Sequence, residues 1–210
     1  MELKKRTLEI IKRLKKEYPH ARIALEFDNP IEILVATILS AQCTDERVNK
    51  VTESLFKKYK TVKDYANADV KKFEQEIRST GFYHNKAKNI INTAKIIMEK
   101  FGGKVPDKME DLMSLSGVAR KTANIVLGNA FGKIEGMPVD THVRRLSQRL
   151  GLSKNDDPEK IEQDLMEIVP RDEWFGVSYI LIDHGRKICD AKKPRCNGCI
   201  LKDICPKIGV

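Results

Sequence analysis

The sequence has no apolar run long enough to cross a bilayer. Its longest, from Ile33 to Leu39, is interrupted by Thr37 and falls far short of the roughly 20 residues that a spanning helix requires. Strict alternation of apolar and polar residues is also missing, which argues against a sheet-based core. Residues 1–22 lack the uninterrupted apolar segment and small-residue cleavage site of a secretory leader, so an intracellular, cytoplasmic protein with no membrane partner is expected. There is no internal repeat, low-complexity tract or flexible linker. Any domain boundary must then be a seam where helices pack, and 133–138 (Lys-Ile-Glu-Gly-Met-Pro) is the best candidate.

What is present is a chain of 210 residues, 41% hydrophobic and 33% charged, which is ordinary for a folded protein of one or two domains. The net charge is +9 and unevenly spread. Residues 1–22 hold eight Lys/Arg against three Glu, and residues 186–210 hold seven against two Asp, so each end is +5 while the long middle is −1. A polyanion is the first partner this suggests; a plain solubility charge is the alternative.

Apolar positions recur every three or four residues, which predicts an all-α fold. Asn29-Pro30-Ile31-Glu32 reads as a helix start, with Asn29 as cap and Glu32 closing a capping box. The following residues are apolar nearly all round, the mark of a central buried helix. Thr44 can cap a helix striped by Val48, Val51 and Leu55, and Ile11, Leu14 and Tyr18 suit a docked surface helix. Segments near 61–68 and 70–79 lead to Gly81, a candidate left-handed stop. Residues 85–101 present Ala87, Ile90, Ile91, Ala94, Ile97, Met98 and Phe101 on one face. Pro106, Pro138, Pro158 and Pro170 each stand at or just before a predicted helix start.

Cys189, Cys196, Cys199 and Cys205 form C-x6-C-x2-C-x5-C. Two disulfides are unattractive in a chain without a secretion signal. One C-x2-C knuckle is half of a zinc ribbon, but the outer cysteines stand six and five residues away, a spacing that a [4Fe-4S] cubane accommodates better. Both metals remain open on spacing. Lys192, Lys193 and Arg195 lie between the first two ligands, in a loop that could grip phosphates or simply be solvated. Cys43 is expected to be a small core residue.

Residues 112–127 read as a short helix ending at Leu115, a turn at Gly117 and a second helix from near Ala119: a helix-hairpin-helix. The N–H groups of Gly117, Val118 and Ala119 would face outward at a helix N-terminus and form an anion site. Lys121, beside Arg120 in that first turn, is either a phosphate-binding cation or an amine able to form a Schiff base. Asp140 looks like an N-cap; the alternative is a carboxylate that stabilises a developing cation or accepts a proton.

Together these residues resemble the endonuclease III group of the helix-hairpin-helix (HhH-GPD) DNA glycosylase superfamily over nearly the whole chain. The resemblance is carried by Leu39-Ser40-Ala41-Gln42 with Thr44-Asp45, by Gly81-Phe82-Tyr83 with Lys86-Ala87, by Leu115 to Thr122 continuing to Val139-Asp140-Thr141-His142, and by His184-Gly185-Arg186 leading into the cysteines. It implies two helical domains with a DNA-binding cleft between them. One is a six-helix domain over 23–134 with the hairpin at about 107–130; the other joins 1–22 to 135–210 and carries a [4Fe-4S] cluster on 189–205. It implies a monomer acting on duplex DNA with damaged bases or abasic sites: an oxidised pyrimidine is flipped out and released, and the strand is nicked by β-elimination. Lys121 matches the nucleophile and Asp140 the catalytic carboxylate. Gln42 and Phe82 match the pair that fills the vacated space, and His142 joins the expected DNA contacts.

Three positions depart from the family pattern. Phe82 stands for leucine, which bears on opposite-strand preference, while Ser116 stands for proline and Ala119 for glycine, both of which keep a backbone donor. Lys121, the absence of a carboxylate from Val35 to Ala41 and the chain end five residues after Cys205 speak against the adenine glycosylase branch. A mismatch or uracil-type glycosylase and a non-catalytic iron–sulfur DNA-binding protein are the alternatives.

Overall fold

The computed structural model describes residues 2–210; residue 1, the first of the 1–22 segment, lies outside them. Among the described residues there are eleven α-helices, three 3-10 turns and no strand. The chain divides into two compact units, Ala24–Glu135 and Met1–Ile23 with Gly136–Val210.

The unit Ala24–Glu135 is built around α2 (Pro30–Leu39). Asn29 accepts the amide of Glu32 and Pro30 takes the first helical position. The Glu32 carboxylate accepts from the amide of Asp28 at 2.7 Å, one residue before the cap, so the expected capping box is shifted by a residue. Every side chain from Ile31 to Leu39 is buried, and Thr37 is accommodated because its hydroxyl donates to the Ile33 carbonyl at 2.7 Å. Each large aliphatic side chain so buried stabilises the unit by about 2 kcal/mol before chain entropy is counted. Around α2 pack α3 (Asp45–Lys58), α6 (Tyr83–Lys100) and α8 (Arg120–Phe131). Thr44 caps α3 through the amide of Arg47. The short α4 (Val62–Ala66), α5 (Val70–Ile77) and the 3-10 turn Arg78–Thr80 cover α6 and bring Tyr59, Tyr65 and Phe73 into one aromatic cluster. On α6 the stripe from Ala87 to Ile97 is buried, but Met98 is 38% exposed. It has the right helical phase, yet its sulfur lies over Gly103 in the turn that ends the helix rather than in the core. α7 (Met109–Met113) precedes α8, and Gly132 ends α8 in the left-handed conformation.

The second unit joins α1 (Leu3–Glu17) to α9 (Thr141–Arg149), α10 (Pro158–Ile168) and α11 (Trp174–Lys187). Ile10, Leu14, Val143, Leu146, Ile161, Leu165 and Leu181 form its core, with Leu201 of the cysteine segment fully buried against them. α9 and α11 meet at Gly185, where an added Cβ would come within 3.0 Å of His142 Nδ1 and Arg145 Nη2. A glycine is therefore what lets the two helices approach this closely. No helix in either unit is long and apolar enough to cross a membrane.

Candidate functional site

The hairpin turn is fastened to α6. Thr93 donates to the Ser116 carbonyl at 2.8 Å and the Ser116 hydroxyl donates to Asn89 Oδ1 at 3.1 Å. Gly117 has φ +76°, and a Cβ there would lie 2.6 Å from Asn89 Nδ2. Val118 turns its side chain into the core, and its amide donates to Leu115 O at 3.3 Å. The expectation of three outward amides is thus corrected: the Val118 amide closes the turn, leaving the amides of Gly117 and Ala119. α7 ends at Met113, two residues earlier than expected, and Ala119 is the N-cap of α8 with no side-chain acceptor. The first turn of a twelve-residue helix therefore begins with amides that no cap satisfies. Lys121 is exposed on that turn.

In the same unit, Gln42 and Phe82 share an unusual backbone. Both have positive φ, 53° and 48°, and apart from Lys207 they are the non-glycine residues that do so among those described. Such a conformation costs an L-residue about 1–2 kcal/mol. Gly81, expected as a left-handed stop, instead has φ 70° and ψ 159°, an extended region open essentially to glycine alone, and the left-handed residue is its neighbour Phe82. Phe82 is 62% exposed, and Gln42 is exposed as well. Behind them the Lys86 ammonium is buried and donates to Leu39 O at 2.8 Å and Thr80 O at 2.7 Å. Burial draws its pKa down, and the nearby Cys43 thiol pushes the other way. Cys43 is half-buried on the loop after α2, not a core residue, because α2 has already ended at Leu39.

Asp140 caps α9. Its Oδ1 accepts from the amides of His142 and Val143, both at 2.8 Å, and Oδ2 takes no hydrogen bond within the described residues. One carboxylate can therefore cap a helix and still present an oxygen to a ligand. The His142 ring pairs with Arg145 Nη2 at 3.1 Å, and the Arg145 guanidinium also reaches the carbonyls of Gly185 and Cys189.

The four cysteines line one cavity with Arg149 and His184. None is in a disulfide. Donors are aimed at the sulfurs: Arg149 Nη1 at Cys189, the Leu201 amide at Cys199 and the Lys207 amide at Cys205, each at 3.4 Å. His184 Nε2 lies 3.4 Å from Cys199 Sγ, and its Nδ1 is 3.0 Å from the Tyr18 hydroxyl. Burial pulls His184 down to about 4, so the ring is neutral at pH 7. Burial pushes the Cys199 and Cys205 thiols up, and their neighbouring cysteines add to this. Among the described residues no three His, Cys, Asp or Glu side chains are gathered tightly enough to hold a single metal ion.

The basic loop is ordered by its own chain. Asp190 Oδ1 accepts the amides of Lys192 and Lys193, which hold its carboxyl below the usual range, and Arg149 donates to the carbonyls of Asp190 and Ala191 at 2.7 and 2.8 Å. Lys192 and Lys193 are exposed. Arg195 uses its guanidinium on the Lys187 carbonyl. Lys86, Asn89, Arg149 and Tyr18 are the residues whose place here sequence reasoning missed. Lys86 lies within the Gly81–Ala87 motif and Tyr18 within the apolar stripe of the first helix, whereas Asn89 and Arg149 carried no local signal.

Residues 35–171 match the HhH-GPD superfamily of base excision DNA repair proteins. The chain is 54% identical over 203 residues to endonuclease III of Synechocystis sp., covering 97% of this chain and 93% of the relative. It is 40% identical over 202 residues to endonuclease III of Escherichia coli strain K12, covering 96% and 95%. Among solved structures it is similar to a non-covalent endonuclease III–DNA complex and to a trapped endonuclease III–DNA covalent intermediate, in each case with TM-score 0.94, 42% identity and coverage of 99% of this chain and 97% of the other. A thermostable thymine-DNA glycosylase shares the fold at 22% identity and TM-score 0.87.

Proposed function

This chain belongs to the HhH-GPD superfamily of base excision DNA repair proteins, in its endonuclease III family, and on that premise we infer a DNA glycosylase with abasic-site lyase activity that removes oxidised pyrimidines from duplex DNA. The observation that carries the lyase assignment is Lys121, an exposed amine on the first turn of a helix whose cap residue, Ala119, offers no side-chain acceptor. Such a terminus attracts a DNA phosphate, and the amides of Gly117 and Ala119 are the donors assigned to it.

In its neutral form, the Lys121 amine attacks C1′ of the damaged nucleotide as the bond from C1′ to the base breaks and the base leaves with a proton; the C1′–O4′ bond of the resulting aminal then breaks, O4′ takes a proton, and the open-chain iminium is the Schiff base. Loss of a C2′ proton then expels the 3′ phosphate by β-elimination, and hydrolysis returns the lysine. Asp140 supplies the carboxylate that stabilises the cation or accepts a proton, using the oxygen its cap leaves available. Gln42 and Phe82 enter the duplex as the base leaves it, and Phe82 brings a ring able to stack between bases. His142, paired with Arg145, contacts DNA from α9. Lys192 and Lys193 bind backbone phosphates, with Arg195 beside them.

Cys189, Cys196, Cys199 and Cys205 suit a [4Fe-4S] cluster. They share one cavity, and Cys189, Cys199 and Cys205 receive N–H donors as thiolates need. When bound, the cluster would supply a cationic core that offsets the crowding of four thiolates.

The test is borohydride trapping on a thymine-glycol duplex and on an abasic duplex. The expected result is a covalent adduct with the wild-type protein and none with Lys121→Ala. An undiminished adduct with Lys121→Ala would falsify the lyase assignment.

A further inference from the structure

Lys86 is buried to 4% exposure, and the titratable group that acts on its ammonium is the Cys43 thiol, with no carboxylate paired to it among the described residues. A buried cation without a counter-ion costs free energy that methionine or leucine of similar volume would not. What it has instead is two backbone carbonyls. Leu39 is the last residue of α2 and stands three residues before Gln42; Thr80 ends the 3-10 turn two residues before Phe82. Both carbonyl-bearing residues are themselves buried, and Leu39 O lies at the negative end of a helix dipole, where a cation is favoured. One nitrogen atom thus ties together the two chain segments that lead into the left-handed, exposed tips.

We propose that Lys86 is a positioning residue that fixes the distance and orientation between Gln42 and Phe82, so that both tips enter the duplex together when a base leaves the stack. The inference rests on the reading of Gln42 and Phe82 as the pair that fills the duplex. Without the shared anchor each tip keeps its own strained backbone but moves independently of the other. Base release then slows while affinity for undamaged duplex, which depends on phosphate contacts elsewhere, is retained.

The experiment places 2-aminopurine opposite thymine glycol in a duplex and follows its fluorescence by stopped flow, alongside single-turnover base release. It uses the whole protein as wild type, Lys86→Met, Lys86→Gln, the double variant Gln42→Ala with Phe82→Ala, and the triple variant adding Lys86→Met. In Lys86→Met the unstacking signal and base release should fall by between about 10- and 100-fold, with affinity for undamaged duplex changed by less than about twofold. Lys86→Gln, which keeps an N–H donor, should recover part of the loss. Adding Lys86→Met to the double variant should cost less than about a further twofold, because the tips it aligns are already gone. A full additional loss in the triple variant would overturn the positioning role. So would failure of both Lys86→Met and Lys86→Gln to fold, which assigns Lys86 to stability alone. Loss of signal in the double variant beside a wild-type signal in Lys86→Met overturns the inference and leaves the pair's role intact. A wild-type signal in the double variant overturns that role and the inference with it.

Discussion

Substituting Gly117 with alanine tests the hairpin from two directions at once. The backbone at φ +76° costs an alanine about 1–2 kcal/mol. Its Cβ would also lie 2.6 Å from Asn89 Nδ2, 2.9 Å from Cγ and 3.0 Å from Cβ. Rotating the Asn89 amide cannot clear its own Cβ, so the turn has to lift away from α6. That lift adds about 1–3 kcal/mol of overpacking. It also removes the hydrogen bond from Ser116 to Asn89, worth about 1 kcal/mol. The expected destabilisation is therefore about 3–6 kcal/mol, read by urea unfolding. Binding to any duplex, damaged or not, should weaken in parallel, because the turn's amides move with it. Adding Asn89→Ala removes the two shorter contacts and should restore about 1–2 kcal/mol while leaving the backbone cost. A Gly117→Ala protein within about 0.5 kcal/mol of wild type would refute the reasoning. So would an Asn89→Ala change that restores nothing.

Three further variants probe the other unit. Asp140→Asn keeps a cap acceptor, so stability should stay within about 0.5 kcal/mol of wild type while base release slows by about 100-fold or more; unchanged turnover would leave Asp140 a cap and nothing else. Arg149→Met removes donors from Cys189 Sγ and from the carbonyls of Asp190 and Ala191, and should cost about 3 kcal/mol in thermal unfolding. Visible absorbance should also bleach faster under an iron chelator, and wild-type bleaching would count against Arg149 as the organiser of the cysteine segment. Lys192→Glu with Lys193→Glu should weaken binding to all duplexes alike and flatten the salt dependence by about 0.9 for each phosphate no longer neutralised. A loss confined to damaged DNA would contradict this.

What could be read from the chain alone follows the range of the interaction concerned. Asn29, Thr44 and Asp140 could be named as caps because each accepts amides two or three residues ahead, so cause and effect lie in one short string. The stripes of α1, α2 and α3 were legible for the same reason, since helical phase is local. Legibility failed where the partner is distant or the end of an element decides. Lys86 finds one of its carbonyls 47 residues away and Arg149 finds Cys189 40 residues away, and neither separation leaves a mark in local spacing. The left-handed position expected at Gly81 fell one residue later, at Phe82. The amide of Val118 was spent inside its turn, and Arg195 turned its guanidinium to a backbone carbonyl, choices that residue type alone does not dictate.

The left-handed tips have a mechanical consequence. On the proposed reading, in which Gln42 and Phe82 enter the duplex and Lys86 tethers both from behind, tips held in this way should have little compliance and should not fold back when pressed against a stacked base pair. Whatever yields on contact must then be the DNA. Resistance at each step is set by how firmly that base is stacked and paired, which is least where the base is damaged or mismatched. A stiff tip turns a small difference in the softness of the duplex into a difference in dwell time, before any pocket has inspected the base.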